Sequence, residues 1–185
     1  MSPATKNQRT DTLSLLLAGL EAGMAGAFAM LLWLGLSSAW SHRSFWTAEN
    51  LLATVFYGDA AIRRGFAWST VTGLALYVSI YSLLGAMFAV AMRERLPRMR
   101  LGLIAVLFGL CWYYVSFGVI WRHLSPLVTL LHVQRATILG HVIYGIFLGR
   151  FPAHLPVEPN VLTVEVPQPV AFPEGSGEPP SLPEP

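Results

Sequence analysis

Two side chains of the acid–base kind stand where ordinary solvated residues do not. Glu21 lies in LSLLLAGLEAGMAGAFAMLLWLGLSSAW, residues 13–40, where every other residue is uncharged. His141 opens HVIYGIFLG, residues 141–149. An isolated ionisable group in hydrocarbon is expensive, so each demands a partner. Depth offers one. Glu21 follows Leu13 by eight residues, about 12 Å at the helical rise, and His141 precedes Arg150 by nine, about 13–14 Å from the same end. The expectation is a Glu21–His141 pair at one depth, sharing a proton or hydrogen-bonded as neutral acid and neutral imidazole. Tyr77, Ser79, Tyr81, Ser82 and Tyr144 would supply hydroxyls around it. Such a pair serves either as a polar pin that fixes helix register or as a proton-handling or ligand site.

The elements that must position this pair are set by composition. Of 185 residues, 54% are hydrophobic and 12% charged, against about 25% charged in soluble domains. Half of the acidic residues (Glu158, Glu165, Glu174, Glu178 and Glu184) lie in the last 33 residues. The remaining body is too poor in charge for a water-facing surface and reads as an all-α integral membrane protein. Four spans emerge, at about 13–40, 69–92, 101–121 and 127–151. The first is too long for the apolar core of a signal peptide. The fourth carries His132, Gln134 and Arg135 near its start, so it begins at headgroup level. Residues 1–12 form an N-terminal segment.

Basic residues set the orientation. Lys6, Arg9, Arg93, Arg95, Arg98, Arg100 and Arg150 fall on one side, and Arg43, Arg63, Arg64, Arg122 and Arg135 on the other. The short arginine loop between the second and third spans decides, placing both termini in the cytoplasm. The chain is expected in the cell inner (plasma) membrane, multi-pass. Trp40, Trp46, Trp68 and Trp121 form an aromatic belt at the outer face.

The first outer loop contains FWTAENLLATVFYG, residues 45–58. Phe45, Trp46, Leu51, Leu52, Val55 and Phe56 would stripe one side of a short helix, with Thr47 as its cap. The expectation is an interfacial helix on the membrane surface; the alternative is a lid packed on the bundle. Residues 152–185 hold ten of the thirteen prolines and no lysine or arginine, and are expected to be a disordered acidic tail. Within it, VLTVEV, residues 161–166, alternates like a strand that could add to a partner's sheet.

Small residues recur every fourth position: Gly19 and Gly23, Ala22 and Gly26, Gly145 and Gly149. That spacing lets helix backbones approach in lipid. Arg63, Arg64, Arg122, His123, His132 and Arg135 form an outer basic rim, suited to lipid headgroups or an anionic solute, or simply to snorkelling at the interface. Cys111 is the lone cysteine, so neither a disulfide framework nor a cysteine zinc site is expected. Bis-histidine haem lacks a second deep histidine, and no hydrolase or nucleotide-binding motif is present. No catalytic residue, metal, cofactor or nucleic-acid partner is expected.

GLEAGMAGAFAMLLW, the loop FWTAENLLATVFYG and the closing HVIYGIFLG together resemble small four-helix bacterial inner-membrane proteins, the YagU-like set, over about residues 15–150. The resemblance implies a four-helix membrane protein and carries over no catalytic residue. The reading that follows is a non-catalytic membrane subunit or assembly component, bound to the lipid bilayer and to a membrane-protein partner or further copies of itself. The alternative is an oligomeric transporter or channel using Glu21 and His141.

Overall fold

Long apolar runs without proline form long helices, and here they are apolar on both sides. The computed structural model describes residues 3–62, 65–92 and 96–155, with side chains from residue 12 onward. Helix α1 spans Pro3–Trp40 and helix α2 Thr47–Tyr57. Helix α3 spans Trp68–Ala91 and helix α4 Arg98–Val115. A π-helical turn, Ser116–Ile120, carries α4 without a break into α5, Trp121–Leu124. Helix α6 spans Pro126–Leu131 and helix α7 Gln134–Leu148. No strand occurs among the described residues. The proline-rich tail, including residues 161–166, lies outside them.

Three stretches are long and apolar enough to cross a membrane: Thr12–Trp40, Trp68–Ala91 and Arg98–Leu124. Their outward faces explain why. On α1 the exposed large apolar side chains are Leu13, Leu17, Leu20, Met24, Phe28, Leu32, Leu36 and Trp40, and Glu21 is the one charged residue exposed among them. A water-facing helix would place several charges there.

The fourth stretch departs from expectation. Residues 127–151 do not make one helix. Pro126 starts α6, which stops at Leu131; His132 and Val133 are extended, and α7 begins at Gln134. Helix α7 has 15 residues, about 22 Å of rise against a hydrocarbon core of about 30 Å.

Of the two expectations for the loop helix, the lid packed on the bundle agrees with the structure: α2 packs on α3 and buries Glu49, Asn50, Leu51, Leu52, Ala53 and Thr54. The proposed stripe is divided: Leu51 and Leu52 are buried, whereas Val55 and Phe56 are exposed. Thr47 does not cap the helix; Trp46 holds that position without a side-chain bond. Two polar joints seat α2. The Thr70 hydroxyl donates to Asn50 Oδ1 at 2.7 Å, and Thr54 Oγ1 lies 2.8 Å from Ser125 Oγ at the start of α6.

Glycine sets the helix spacing. A Cβ on Gly85 would run into the Gly19 carbonyl, and one on Gly23 would come within 2.6 Å of the Tyr81 carbonyl. Thus α1 meets α3 backbone to backbone. Gly145 would meet Ala105 and Val106, and Gly149 would meet Gly102, so α7 meets α4 in the same way. Gly26 instead faces Tyr144. The residue pairs run in opposite senses, so α1–α3 and α4–α7 are antiparallel, and α1 also packs against α7. Helix α4 stands at the edge.

Placing a side chain at the α1–α3 contact should force the helices apart. Overpacking costs about 1–3 kcal/mol, so Gly85→Val should lower thermal stability in detergent by that amount. Gly118→Ala, where nothing lies within 4 Å, should change it little. Equal melting temperatures for the two variants would refute the backbone contact.

Candidate functional site

Glu21 and His141 do not meet. The contacts of Gly26 with Tyr144 and of Gly140 with Met30 fix the antiparallel register of α1 and α7. By that register His141 lies opposite about residue 29, roughly 12 Å up the helix from Glu21. Glu21 instead reaches past the end of α7, where His154 Nδ1 lies 3.2 Å from its Oε2. Both side chains are substantially exposed, at 60% and 36%. The error lay in counting depth from Leu13. Helix α1 is longer than a bilayer core is thick. From Glu21 to Trp40 is about 28 Å of helix, one core thickness, so a core that ends at Trp40 would begin near Glu21. An exposed pair of this kind contributes about 0.2–1 kcal/mol. The expected Glu21–His141 pair is therefore not formed within the chain.

His141 itself is fully buried, and its partners are a backbone and a phenol. Its Nδ1 lies 2.7 Å from the Thr137 carbonyl, one helical turn back. A carbonyl can only accept, so Nδ1 carries the proton. In the neutral ring Nε2 is then an acceptor, and the Tyr81 hydroxyl donates to it at 2.9 Å. Tyr144 donates in turn to the Tyr81 carbonyl at 2.8 Å. Tyr77 stacks on Tyr81 with ring centroids 4.7 Å apart, and its hydroxyl meets Met30 Sδ at 3.4 Å. The expected hydroxyls Tyr81 and Tyr144 thus serve His141, joining α3 to α7. Ser82 is only half-buried and Ser79 is exposed, and neither bonds to His141.

A second histidine repeats the pattern nearer the surface. His132 Nδ1 donates to the Thr129 carbonyl at 2.7 Å, and the Tyr113 hydroxyl lies 3.4 Å from its Nε2. Phe117, from the π turn, packs on the His132 ring with centroids 4.2 Å apart. Phe117 stands second in the π turn and lines a cleft. That cleft lies between α1, α2, α6 and α7. It is about 50 Å³ in volume, and Leu34, Leu51, Tyr77, Val128 and His132 are among its walls. Arg43 and Thr47 border it and also border a neighbouring polar chamber of about 180 Å³ with Ser44 and Asn50.

Of the expected outer rim, His132 alone reaches this cleft. Arg122, His123 and Arg135 are exposed, and Arg63 and Arg64 lie outside the described residues. Among the described residues no group of three His, Cys, Asp or Glu side chains could hold a metal ion.

Glu49 is the residue that sequence reasoning missed. It is 2% exposed, and its Oε2 has no hydrogen-bond partner. On α2 it packs where Gly73 of α3 has no side chain, the Glu49 carbonyl occupying that space. Burial raises its pKa above 4.5, opposed more weakly by a bond from its own backbone amide. The signal was present in AENLL: a lone acid beside leucines on a helix that must bury that side.

Three measurements follow. Glu21→Gln should change stability by less than about 1 kcal/mol. Tyr81→Phe should cost about 1–3 kcal/mol and be non-additive with His141→Leu; strict additivity would mean the bond is unimportant. For Glu49, a raised pKa means that the folded state holds the proton more tightly. Stability is then fully present below pH 4.5 and falls as pH rises through the folded value. Melting curves across pH should show that loss in the parent and not in Glu49→Gln; parallel curves would disprove it.

Searches against protein-family models, curated proteins and solved structures return no match for this chain.

Proposed function

We propose that this chain is a small polytopic membrane subunit, without catalysis of its own, that assembles into a larger membrane complex. One observation carries the reading. The stretch Arg98–Leu124 is only 22% buried across its most apolar window, against 44% and 39% for the other two. Its uncovered side presents Leu103, Leu107, Tyr114 and Val119 together with Cys111. The deep polar groups around His141, by contrast, are turned towards one another. A bundle closed at its centre and open along one edge helix suits association through that edge.

The accompanying topology is a four-crossing protein of the inner membrane. Helix α7, with α6 before it and the turn Phe151–His154 after it, makes the fourth crossing. Arg98, Arg100 and Arg150 share the end of the bundle where α1 begins, which the positive-inside bias assigns to the cytoplasm. This is the four-helix plan that the resemblance to YagU-like proteins implies. The proline-rich tail is a further element for docking to a partner.

Cys111 provides the test. In native membranes a short thiol-to-thiol or thiol-to-amine crosslinker should join Cys111 to a second copy or to another membrane protein, and mass measurement in mild detergent should exceed that of one chain. A monomer mass together with no Cys111 adduct would overturn the assembly role.

A further inference from the structure

We infer that Arg43, with the cleft beneath it, is a binding site for an anionic phospholipid, whose head lies at Arg43 and one of whose acyl chains enters the cleft. Arg43 is held in place by an unusual turn. Helix α1 ends at Trp40, and His42 adopts a left-handed backbone, φ 55°. That place in a helix C-cap is usually glycine's, and a residue with a Cβ is disfavoured there by about 1–2 kcal/mol. The turn lets the Arg43 amide donate to the Ser38 carbonyl at 2.9 Å, folding the chain back over the helix end. The guanidinium then reaches across the cleft, where its Nη1 lies 3.4 Å from the Leu131 carbonyl at the end of α6. A guanidinium has five donors, and this long contact engages one.

The surroundings select an anion with a tail. The one ion pair among the described residues is Glu21–His154, so no described carboxylate neutralises Arg43. Arg43 stands between two unlike spaces. On one side is the chamber of about 180 Å³ with Ser44, Thr47, Asn50 and Ile62 on its wall, wide enough for a phosphate ester. On the other is the cleft of about 50 Å³ walled by Leu34, Leu51, Val128 and Phe117. Leu34 lies six residues before the helix end at Trp40, about 9 Å along the helix, so a chain entering beside Arg43 runs alongside apolar side chains. Arg43 lies just beyond Trp40, at the level where headgroups begin if α1 spans the bilayer. A free phosphate would use the chamber but gain nothing from the cleft. A zwitterionic lipid would bring a second, positive charge towards Arg43. The exposed rim residues Arg122 and Arg135 have no such cleft beneath them, so the site centres on Arg43, with His132 on its wall.

The test uses the full chain in a non-ionic detergent, with dioleoyl phosphatidylglycerol, dioleoyl phosphatidylcholine or inorganic phosphate added. Phosphatidylglycerol should raise the melting temperature saturably, by at least about 3 °C, with one lipid retained by native mass spectrometry. Phosphatidylcholine and phosphate should not. Arg43→Gln should abolish the shift, Arg43→Lys should keep part of it, and Arg135→Gln should leave it intact. Should Arg43→Gln not fold, Ser37→Phe, which fills the cleft without touching charge, must also abolish the shift. An equal shift with phosphate or phosphatidylcholine, or a full shift in Arg43→Gln or Ser37→Phe, would overturn the site.

Discussion

Helices α1 and α3 touch through their backbones, and the rest of the bundle is arranged around that contact. Gly19, Gly23 and Gly85 leave no side chain between the two axes. Between apolar helices in lipid there is little hydrophobic gain, so close packing and hydrogen bonds must supply the attraction. Once α1 and α3 are this close, the register of every other contact is narrowly set. Tyr81, four residues before Gly85, is held at the height of His141 on α7. Met30, on the next turns of α1, meets Tyr77. The second glycine contact, between α7 and α4, fixes the remaining helix against this pair.

The polar centre depends on that geometry. The Tyr81–His141–Thr137 bonds tie α3 to α7, while Tyr144 returns to the Tyr81 backbone. Buried polar groups specify a single arrangement only when they are satisfied. Here the histidine has both ring nitrogens engaged, and it locks two helices that share few glycine contacts. Glu49 is the opposite case. Its unpartnered oxygen lies beneath the loop helix α2, which makes that helix the part of the structure whose seating responds to protonation.

Much of this architecture was legible from residue type and spacing. Apolar length located the three stretches long and apolar enough to cross a membrane, and glycine spacing located the faces of α1 and α7 that pack. The partners of those faces could also be found, since Gly85 and Ala89, and Ala105 and Gly109, show the same four-residue interval. What failed was arithmetic that assumed a boundary. Apolarity marks where a helix can be in lipid, not where lipid ends, so Glu21 was placed too deep. Interior partners such as Tyr81 for His141 depend on helix rotation, which a nearly all-apolar helix does not encode by amphipathicity. The break at His132 was hidden because a proline at the start of α6 reads equally as the start of one longer helix. Glu49 gave no signal by residue type alone, because a charge on a short loop helix is ordinarily exposed.

The π turn at Ser116–Ile120 has a consequence for what sequence changes the chain tolerates. A π turn holds one residue more than the α turn it replaces. Removing any one of those five residues would let the segment relax into a regular helix. Everything beyond it, Trp121 and the turn into Pro126 included, would then rotate by about 100° about the helix axis. Ser125 would swing away from Thr54. At this point the protein is sensitive to residue number as well as residue identity. A conservative substitution here is a small perturbation, whereas a one-residue deletion is a change of shape.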